Sequence, residues 1–522
     1  MEFSRQDLLD AGWREDAPFD VLLQEAARLI EKGNTESSYI LKRLDRVYAR
    51  HQPTMAMREE PIAFAEAVEA TTKEEEKNLK AARRTMRELM ACPVVEAGAL
   101  MPDTCPAGSA IASIPVGGAV AVRRAIIPAA HGADICCSMQ ATVFEAPADV
   151  SVASLMDQLV GVTRFGPGGR HADDWVAHPV ADEDVWENPF LRGFEKYARM
   201  YLADQGDGNH FAFMGTLEVD EAMLDALSEA GHGDTFQALK LNQRYHVLIT
   251  HHGSRGLGAR VYQRGLEAAI KQTKQVATSI PEAAAWLSIA SDEGRDYWDA
   301  LQYLSRWTLA NHRLIHDRFL EALGGVDALA NFGNEHNFVW QRGDLFLHGK
   351  GATPAWHDEA DRPLLGLIPL NMASPVLLVL GGDQSDYLSF APHGAGRNLS
   401  RKGIIRQFRQ RDGSLDEDGM ARALEEATQD LEVCWYRGKP DLTESPIGYK
   451  PAATVRAQIE SFQLAHIVAD IHPLGSIMAG RGKGRDEELS PKQLRQMDHR
   501  ANRRKDRQHL REDWQGLRMK VR

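Results

Sequence analysis

A chain that mixes helices with short strands, with helices toward both ends, is expected from three observations. The first ninety or so residues carry helical spacing, the stretch from Pro93 switches to short apolar runs broken by Gly and Pro, and helical segments return later. In order, Phe19 to Lys32 places apolar residues at helical intervals, and the segment beginning Lys73-Glu-Glu-Glu-Lys is full of helix formers with charge pairs four apart. Ala119-Val-Ala-Val122 and Ala125-Ile-Ile-Pro128 read as strands beside loops. Helices are expected again at Glu221 to Glu229, around Thr235 to Leu241, and from about Tyr297 to Leu323. Strand-like runs at Tyr245 to Thr250, Phe338 to Trp340 and Val376 to Leu380 each lie next to a histidine-bearing island. There is no internal repeat and no low-complexity segment.

With 522 residues, of which 43% are apolar, one large domain with appendages is expected. No apolar run approaches the roughly 20 residues needed to cross a bilayer, and Met1-Glu-Phe-Ser-Arg-Gln-Asp lacks the cationic and apolar pattern of a signal peptide, so no membrane partner and a cytoplasmic location are expected. Five cysteines, two adjacent as Cys136-Cys137, suit reduced thiols or metal binding better than disulfides. The net charge of -13 means that any affinity for nucleic acid must come from a local basic surface. One lies between Arg481 and Arg522, where fourteen Lys/Arg face seven Asp/Glu. A solvated helical tail, an RNA-contacting arm and a partner-docking helix all fit that composition.

The chemistry is carried by separate islands. Asp134 and Cys137 sit three apart in the Gly-flanked run His131-Gly-Ala-Asp134-Ile-Cys-Cys137, close enough to chelate one cation, and a thiolate can bridge a second. Gly208-Asn-His210-Phe, His251-His-Gly-Ser-Arg255-Gly and His336-Asn337 can supply the remaining ligands from other loops, as open catalytic sites do. Ligand softness alone favours zinc. A fourth island, His393-Gly-Ala-Gly-Arg397, combines an imidazole able to attack phosphorus with glycines that let phosphate approach the backbone and an arginine fork that pairs with its oxygens. Arg255, Lys350 and Arg401 are further phosphate-binding candidates. Together these islands point to two-metal nucleotidyl-transfer chemistry.

In this order, Asp134-x-x-Cys137, Gly208-Asn-His210-Phe, His251-x-Gly-Ser-Arg-Gly256, His336-Asn337, His348-x-Lys350-Gly-Ala-Thr353 and His393-Gly-Ala-Gly-Arg397 resemble the RtcB family of RNA-splicing ligases. Met101-Pro-Asp103, Ser400-Arg401 and Pro473-Leu-Gly475 fit too. The resemblance covers about residues 93 to 480. It divides the chain into a helical N-terminal extension (1–92), a catalytic domain (93–480) and a basic helical tail (481–522). The α+β class with a mixed-sheet core rests on this resemblance rather than on periodicity.

The resemblance implies an enzyme that joins RNA ending in a 2′,3′-cyclic phosphate or 3′-phosphate to RNA with a 5′-hydroxyl, using GTP and manganese in place of the zinc suggested by softness. Asp134, Cys137 and His210 would hold one Mn²⁺; Cys137, His251 and His336 would hold the second. His393 would become guanylylated. Asn209, His210, His336, Asn337, His393, Gly394, Ala395, Gly396 and Arg397 would line the nucleotide, while Arg255, Lys350 and Arg401 would meet RNA or triphosphate charge. Partners are RNA and a nucleoside triphosphate, and activation by archease is left open.

This chain departs from the family pattern around the base. Phe213 stands where members usually carry Glu, Ala479-Gly480 where they end in Lys-Gly, and Val376 loosely aligns with a base-contacting Ser. Hydrogen bonds that separate guanine from other bases, typically about 1 to 3 kcal/mol each, are thereby lost. Another NTP such as ATP could then serve, with Lys483 or Lys350 replacing the missing lysine. Cys105 and Gly349 also differ, standing where His and Arg are usual. Two alternatives stand beside the ligase: a metal-dependent processor of RNA phosphate ends that does not seal, and a non-catalytic RNA-binding relative.

Overall fold

The computed structural model describes residues 3–481 apart from 11–12, 14–16, 35, 49–54 and 109–113. The basic segment beyond Arg481, Lys483 included, therefore lies outside the described residues. The architecture is α+β, built on a twelve-stranded mixed sheet. Its strands, in chain order, are β1 (Ala65–Glu66), β2 (Val95–Cys105), β3 (Val116–Arg123), β4 (Cys137–Phe144), β5 (Phe211–Val219), β6 (Gln243–His252), β7 (Ala328–Arg342), β8 (Leu345–Lys350), β9 (Leu365–Pro369), β10 (Val376–Gly381), β11 (Glu432–Trp435) and β12 (Ala465–Met478). Their spatial order is β9-β10-β12-β5-β6-β4-β7-β8-β3-β2-β1, with β11 beside β12. Neighbours are antiparallel except β1 with β2 and β11 with β12.

Strand β4 shows how this sequence makes the sheet's two faces. Successive side chains on a strand point to opposite sides. Met139, Ala141 and Val143 accordingly join one apolar cluster with Phe213, Val247, Ile249 and Leu378. Ser138 and Thr142 turn to the other side, against the helix Asp292–Ala322, where they meet His312 and His316. That helix buries one long stripe, including Tyr297, Leu301, Leu304, Trp307, Ile315 and Phe319, at helical intervals. Burial of each such side chain contributes about 1.5–3 kcal/mol before chain entropy is counted.

The helices expected at Phe19, Lys73 and Glu221 span Phe19–Glu31, Lys73–Met90 and Glu221–Glu229. Thr72 caps the second by accepting from Glu75 N, while the Glu75 carboxylate accepts from Thr71 N, which closes the first turn. The segment around Thr235 to Leu241 is helical only over Gly233–Phe236, because the chain turns into β6 through Asn242 in left-handed backbone (φ 59°). One long helix, Arg255–Val276, has no clear signal in the sequence. Glycines, poor helix formers, interrupt its pattern. Packing explains two of them: a Cβ at Gly256 would fall 2.3 Å from the Tyr201 hydroxyl, and one at Gly265 would fall 2.2 Å from the Tyr297 ring.

Candidate metal centre and nucleotide cavity

Strand order brings the ligand islands together. β5, β6, β4 and β7 are consecutive neighbours, with His251 opposite Phe211 and Met139, and Asn337 opposite Cys137. His210 immediately precedes β5, His251 nearly ends β6, Cys137 begins β4 and His336 lies beside the bulge in β7, so all four meet at one end of the sheet. Asp134 joins from the loop before β4. Its Oδ2 is 2.9 Å from His210 Nε2. Cys137 Sγ lies 3.6 Å from His210 Nε2 and 3.2 Å from His251 Nε2, and the two Nε2 atoms of His251 and His336 are 3.1 Å apart. Two overlapping triads result, Asp134/Cys137/His210 and Cys137/His251/His336, sharing the thiol.

The donor set fits a pair of divalent cations. Thiolate and imidazole ligands at about 2.3 and 2.0 Å from one tetrahedral ion stand about 3.5 Å apart, close to the observed separations. His251 Nδ1 faces the Asn209 carbonyl at 3.2 Å, so this nitrogen carries the proton and Nε2 presents its lone pair. Burial, reinforced by neighbouring His210 and His393, pushes His251 down to about 3, and burial with His393 nearby holds His336 well below the ordinary histidine range. Both rings are thus in the neutral form that ligates. Burial raises Asp134, but His210 and Arg255 more than offset this and hold it well below the usual carboxylate range. Burial, and then Asp134, push the Cys137 thiol well up, a cost that a bound cation removes by ionising the sulfur.

His393 stands beside this cluster, its ring centroid 4.8 Å from that of His336. It follows the short strand Phe390–Pro392, which pairs with Ala352–Pro354 and so carries His393 to Gly351. Nδ1 is 2.6 Å from Asp103 Oδ2 and 2.9 Å from the Gly351 carbonyl. Both partners only accept, so Nδ1 holds the proton and Nε2 is left as a lone-pair nitrogen. The Asp103 side chain is fully buried. Gly396, at φ 72°, could not be replaced without collision, since a Cβ would fall 2.0 Å from the Asp103 carbonyl oxygen.

A cavity of about 720 Å³ opens over His251, His336 and His393. One wall is polar, with Asn209, Asn337, Lys350, Arg397 and Arg401. Asn337 is held at both ends: its amide donates to the Asp134 carbonyl and its oxygen accepts from Gly351 N. Arg397 is oriented by the Thr443 carbonyl and by Glu444, and it lies over the Tyr449 ring at 4.9 Å. Glu444 also pairs with Arg401. The lining also includes the apolar side chains Phe211, Phe213, Leu370, Met372, Val376 and Met478.

The structure therefore gathers Asp134, Cys137, His210, His251 and His336 into one cluster. Asn209, Asn337, His393, Gly394, Ala395, Gly396, Arg397, Lys350 and Arg401 line the cavity beside it. Arg255 is placed elsewhere. Its guanidinium sits behind His210, 2.8 Å from Nδ1 and 3.5 Å from Asp204 Oδ1, and its side chain is 10% exposed. Gly206 leaves room for it, since a Cβ there would fall 1.5 Å from Arg255 Nη2. Of the departures from the family pattern, Phe213, Val376 and Cys105 line the cavity. Ala479 is packed in a separate apolar cluster, and Gly349 faces Ala352, Trp340 and Phe390 within the sheet. Glu444 and Tyr449 were not anticipated, because no motif surrounds them. Asp103 was noted only as part of a motif, although its acidic side chain in an otherwise apolar run was a usable signal.

A cluster at the strand ends that can hold two cations, with a lone-pair histidine and polar cavity-lining side chains beside it, has the parts of a metal-dependent phosphoryl- or nucleotidyl-transfer site. Residues 85–479 match the family model for tRNA-splicing ligase RtcB, and the chain belongs to that family. It is 24% identical to the RNA-splicing ligase RtcB of Escherichia coli (strain K12) over 385 residues, covering 69% of this chain and 85% of that protein. It is 27% identical to the tRNA-splicing ligase RtcB of Thermococcus kodakarensis over 301 residues, 52% of this chain and 58% of that one. Such identities mark a divergent member. Among the described residues no helix is long and apolar enough to cross a membrane.

Proposed function

We propose that this protein is an RNA ligase that joins a 2′,3′-cyclic phosphate or 3′-phosphate end to a 5′-hydroxyl end through a nucleotidylated His393, with two Mn²⁺ ions and a nucleoside triphosphate. The observation that carries this reading is the Asp103–His393 pair at 2.6 Å beside the shared-thiol cluster. Asp134, Cys137 and His210 would hold one ion, and Cys137, His251 and His336 the other. When bound, the ions supply Lewis acidity that offsets charge on the transferring phosphoryl group. Asp103 and the Gly351 carbonyl keep the proton on His393 Nδ1, so that Nε2 attacks the α-phosphorus, and the bond to pyrophosphate breaks. A cyclic end is first opened by water, with the P–O2′ bond breaking, and the resulting RNA 3′-phosphate oxygen then attacks that phosphorus and releases the imidazole. Finally the 5′-hydroxyl attacks the RNA phosphate and expels the nucleoside monophosphate. Lys350, Arg397 and Arg401 would neutralise phosphate charge on the polar wall.

In the apolar part of the lining, Phe213 and Val376 offer contact area but no acceptor for guanine N1–H and N2–H. The reading is therefore a ligase whose preference for GTP is relaxed, so that ATP also serves. Incubation of the full chain with Mn²⁺ and each α-labelled nucleoside triphosphate tests both points. A covalent label with GTP and at least one other nucleotide, lost in His393→Ala, supports the proposal. Turnover of cyclic phosphate ends with no label would instead favour end processing without sealing. Addition of archease to the same assay measures whether activation is required.

A further inference from the structure

Behind the ligand cluster, on the other side of the same strands, lies a chain of buried polar side chains. Ser138 donates to the Cys136 carbonyl at 2.9 Å, and its oxygen is 3.0 Å from His312 Nε2. Thr250 Oγ1 sits between His312 Nδ1 at 2.6 Å and His316 Nε2 at 2.8 Å. Thr142 Oγ1 sits between His316 Nδ1 at 2.6 Å and the Asn331 side-chain amide at 2.5 Å. Because Ser138 spends its proton on the carbonyl, His312 must donate from Nε2 and accept from Thr250 at Nδ1. His312 therefore has one tautomer, while Thr142 donates to the Asn331 side-chain oxygen. Burial keeps both rings uncharged, His316 at about 3 and His312 well below the ordinary range.

The placement matters more than the bonds. Ser138 is next to Cys137 on β4, Thr250 is next to His251 on β6, and Asn331 lies on β7, the strand that bears His336. Period-two alternation puts the ligand on one face and its neighbour on the other. His312 and His316, one turn apart on the helix Asp292–Ala322, thus tie together the three strands whose ends hold the second triad. An apolar core would stabilise this layer at least as well, whereas directional polar contacts define spacing and register.

We propose that His312 and His316 are positioning residues of the metal centre, which hold β4, β6 and β7 at the spacing that Cys137, His251 and His336 need to share a cation. This inference rests on the two-ion reading above. Its test is Mn²⁺ titration of the full chain by calorimetry, with the thermal melt of the metal-free protein as a separate readout. Thr250→Val, which keeps shape but removes the hydroxyl between the two rings, should weaken Mn²⁺ binding by about 10- to 100-fold, the range for loss of groups that orient ligands. Thr250→Ser, which restores the hydroxyl, should recover most of that affinity. His316→Gln, whose amide can both donate and accept, should bind Mn²⁺ more tightly than His316→Phe, whether or not their melts differ. Mn²⁺ affinities within twofold of wild type for Thr250→Val and His316→Phe would overturn the inference while leaving the two-ion reading intact. Failure of the unaltered chain to bind Mn²⁺ would overturn that reading and the inference with it. If His316→Phe does not fold, the Thr250→Val and Thr250→Ser pair decides the matter alone.

Discussion

The polar and the apolar parts of the cavity lining are built on opposite principles. In the polar part almost every side chain is held by another group: His393 by Asp103 and Gly351, Asn337 by Asp134 and Gly351, Arg397 by Thr443 and Glu444, His251 by Asn209. In the apolar part, Phe213, Met372, Val376 and Met478 meet the cavity with apolar surface. Directional partners specify where reacting atoms sit, while apolar walls reward contact area and discriminate weakly between bases. The difference teaches that Phe213 and Val376, which depart from the family pattern, lie among the apolar lining, while the clustered donors keep their polar partners.

That contrast can be broken or sharpened by substitution. The largest effect is expected for His393→Ala, which should abolish covalent nucleotide labelling while leaving Mn²⁺ affinity within a few fold in the same titration. Cys137→Ala removes the one atom common to both triads, so calorimetry should show loss of at least one Mn²⁺ site, with labelling reduced by about 1,000-fold or more. Asp103→Asn presents either a weaker acceptor or a donor to His393 Nδ1, and the labelling rate at saturating nucleotide should fall by about 100- to 10,000-fold. Unchanged labelling in this variant would show that the Gly351 carbonyl alone suffices.

In the apolar part the effects should be smaller. Phe213→Glu introduces an acceptor into the cavity wall and should shift the ratio of GTP to ATP labelling toward GTP by about tenfold, a change of about 1.4 kcal/mol. An unaltered ratio would mean that the base does not reach Phe213. A further prediction concerns acid and stability rather than labelling. His316 sits at about 3 in the folded chain, below its unfolded value of about 6.5, so the unfolded state takes up a proton first as pH falls. The stability contribution of this neutral ring is complete above about pH 6.5 and is lost as pH drops toward 3, at about 1.4 kcal/mol per pH unit. Denaturant melts of metal-free protein from pH 7 to 5 should show a slope that His316→Gln reduces.

Much of the site was legible in the sequence because metal and phosphate chemistry demand particular side chains in loops rich in Gly and Asn. Asp134, Cys137, His210, His251, His336 and His393 all stand in such islands. The helix at Phe19 was legible from periodicity, that at Lys73 from its helix formers and charge pairs, and the strand ending at His251 from its apolar run. Arg255 shows the limit: its Gly-Ser-Arg-Gly setting suits a phosphate, yet the fold turns it behind His210 toward buried Asp204. Ser138, Thr250, His312 and His316 show another, since each alone resembles any polar residue in a mixed segment.

The amino-acid sequence by itself determined which donor atoms this protein possesses, which short segments could be helix or strand, and which positions depart from the family pattern. Only the tertiary structure decided which donors face one another. Strand order and register join residues as distant as Asp103 and His393, and alternation along β4 and β6 separates the ligands from the polar ladder behind them. The physical reason is that periodicity and loop composition are local properties. The pairing of strands is set by long-range burial and hydrogen bonding, which no short window of sequence contains.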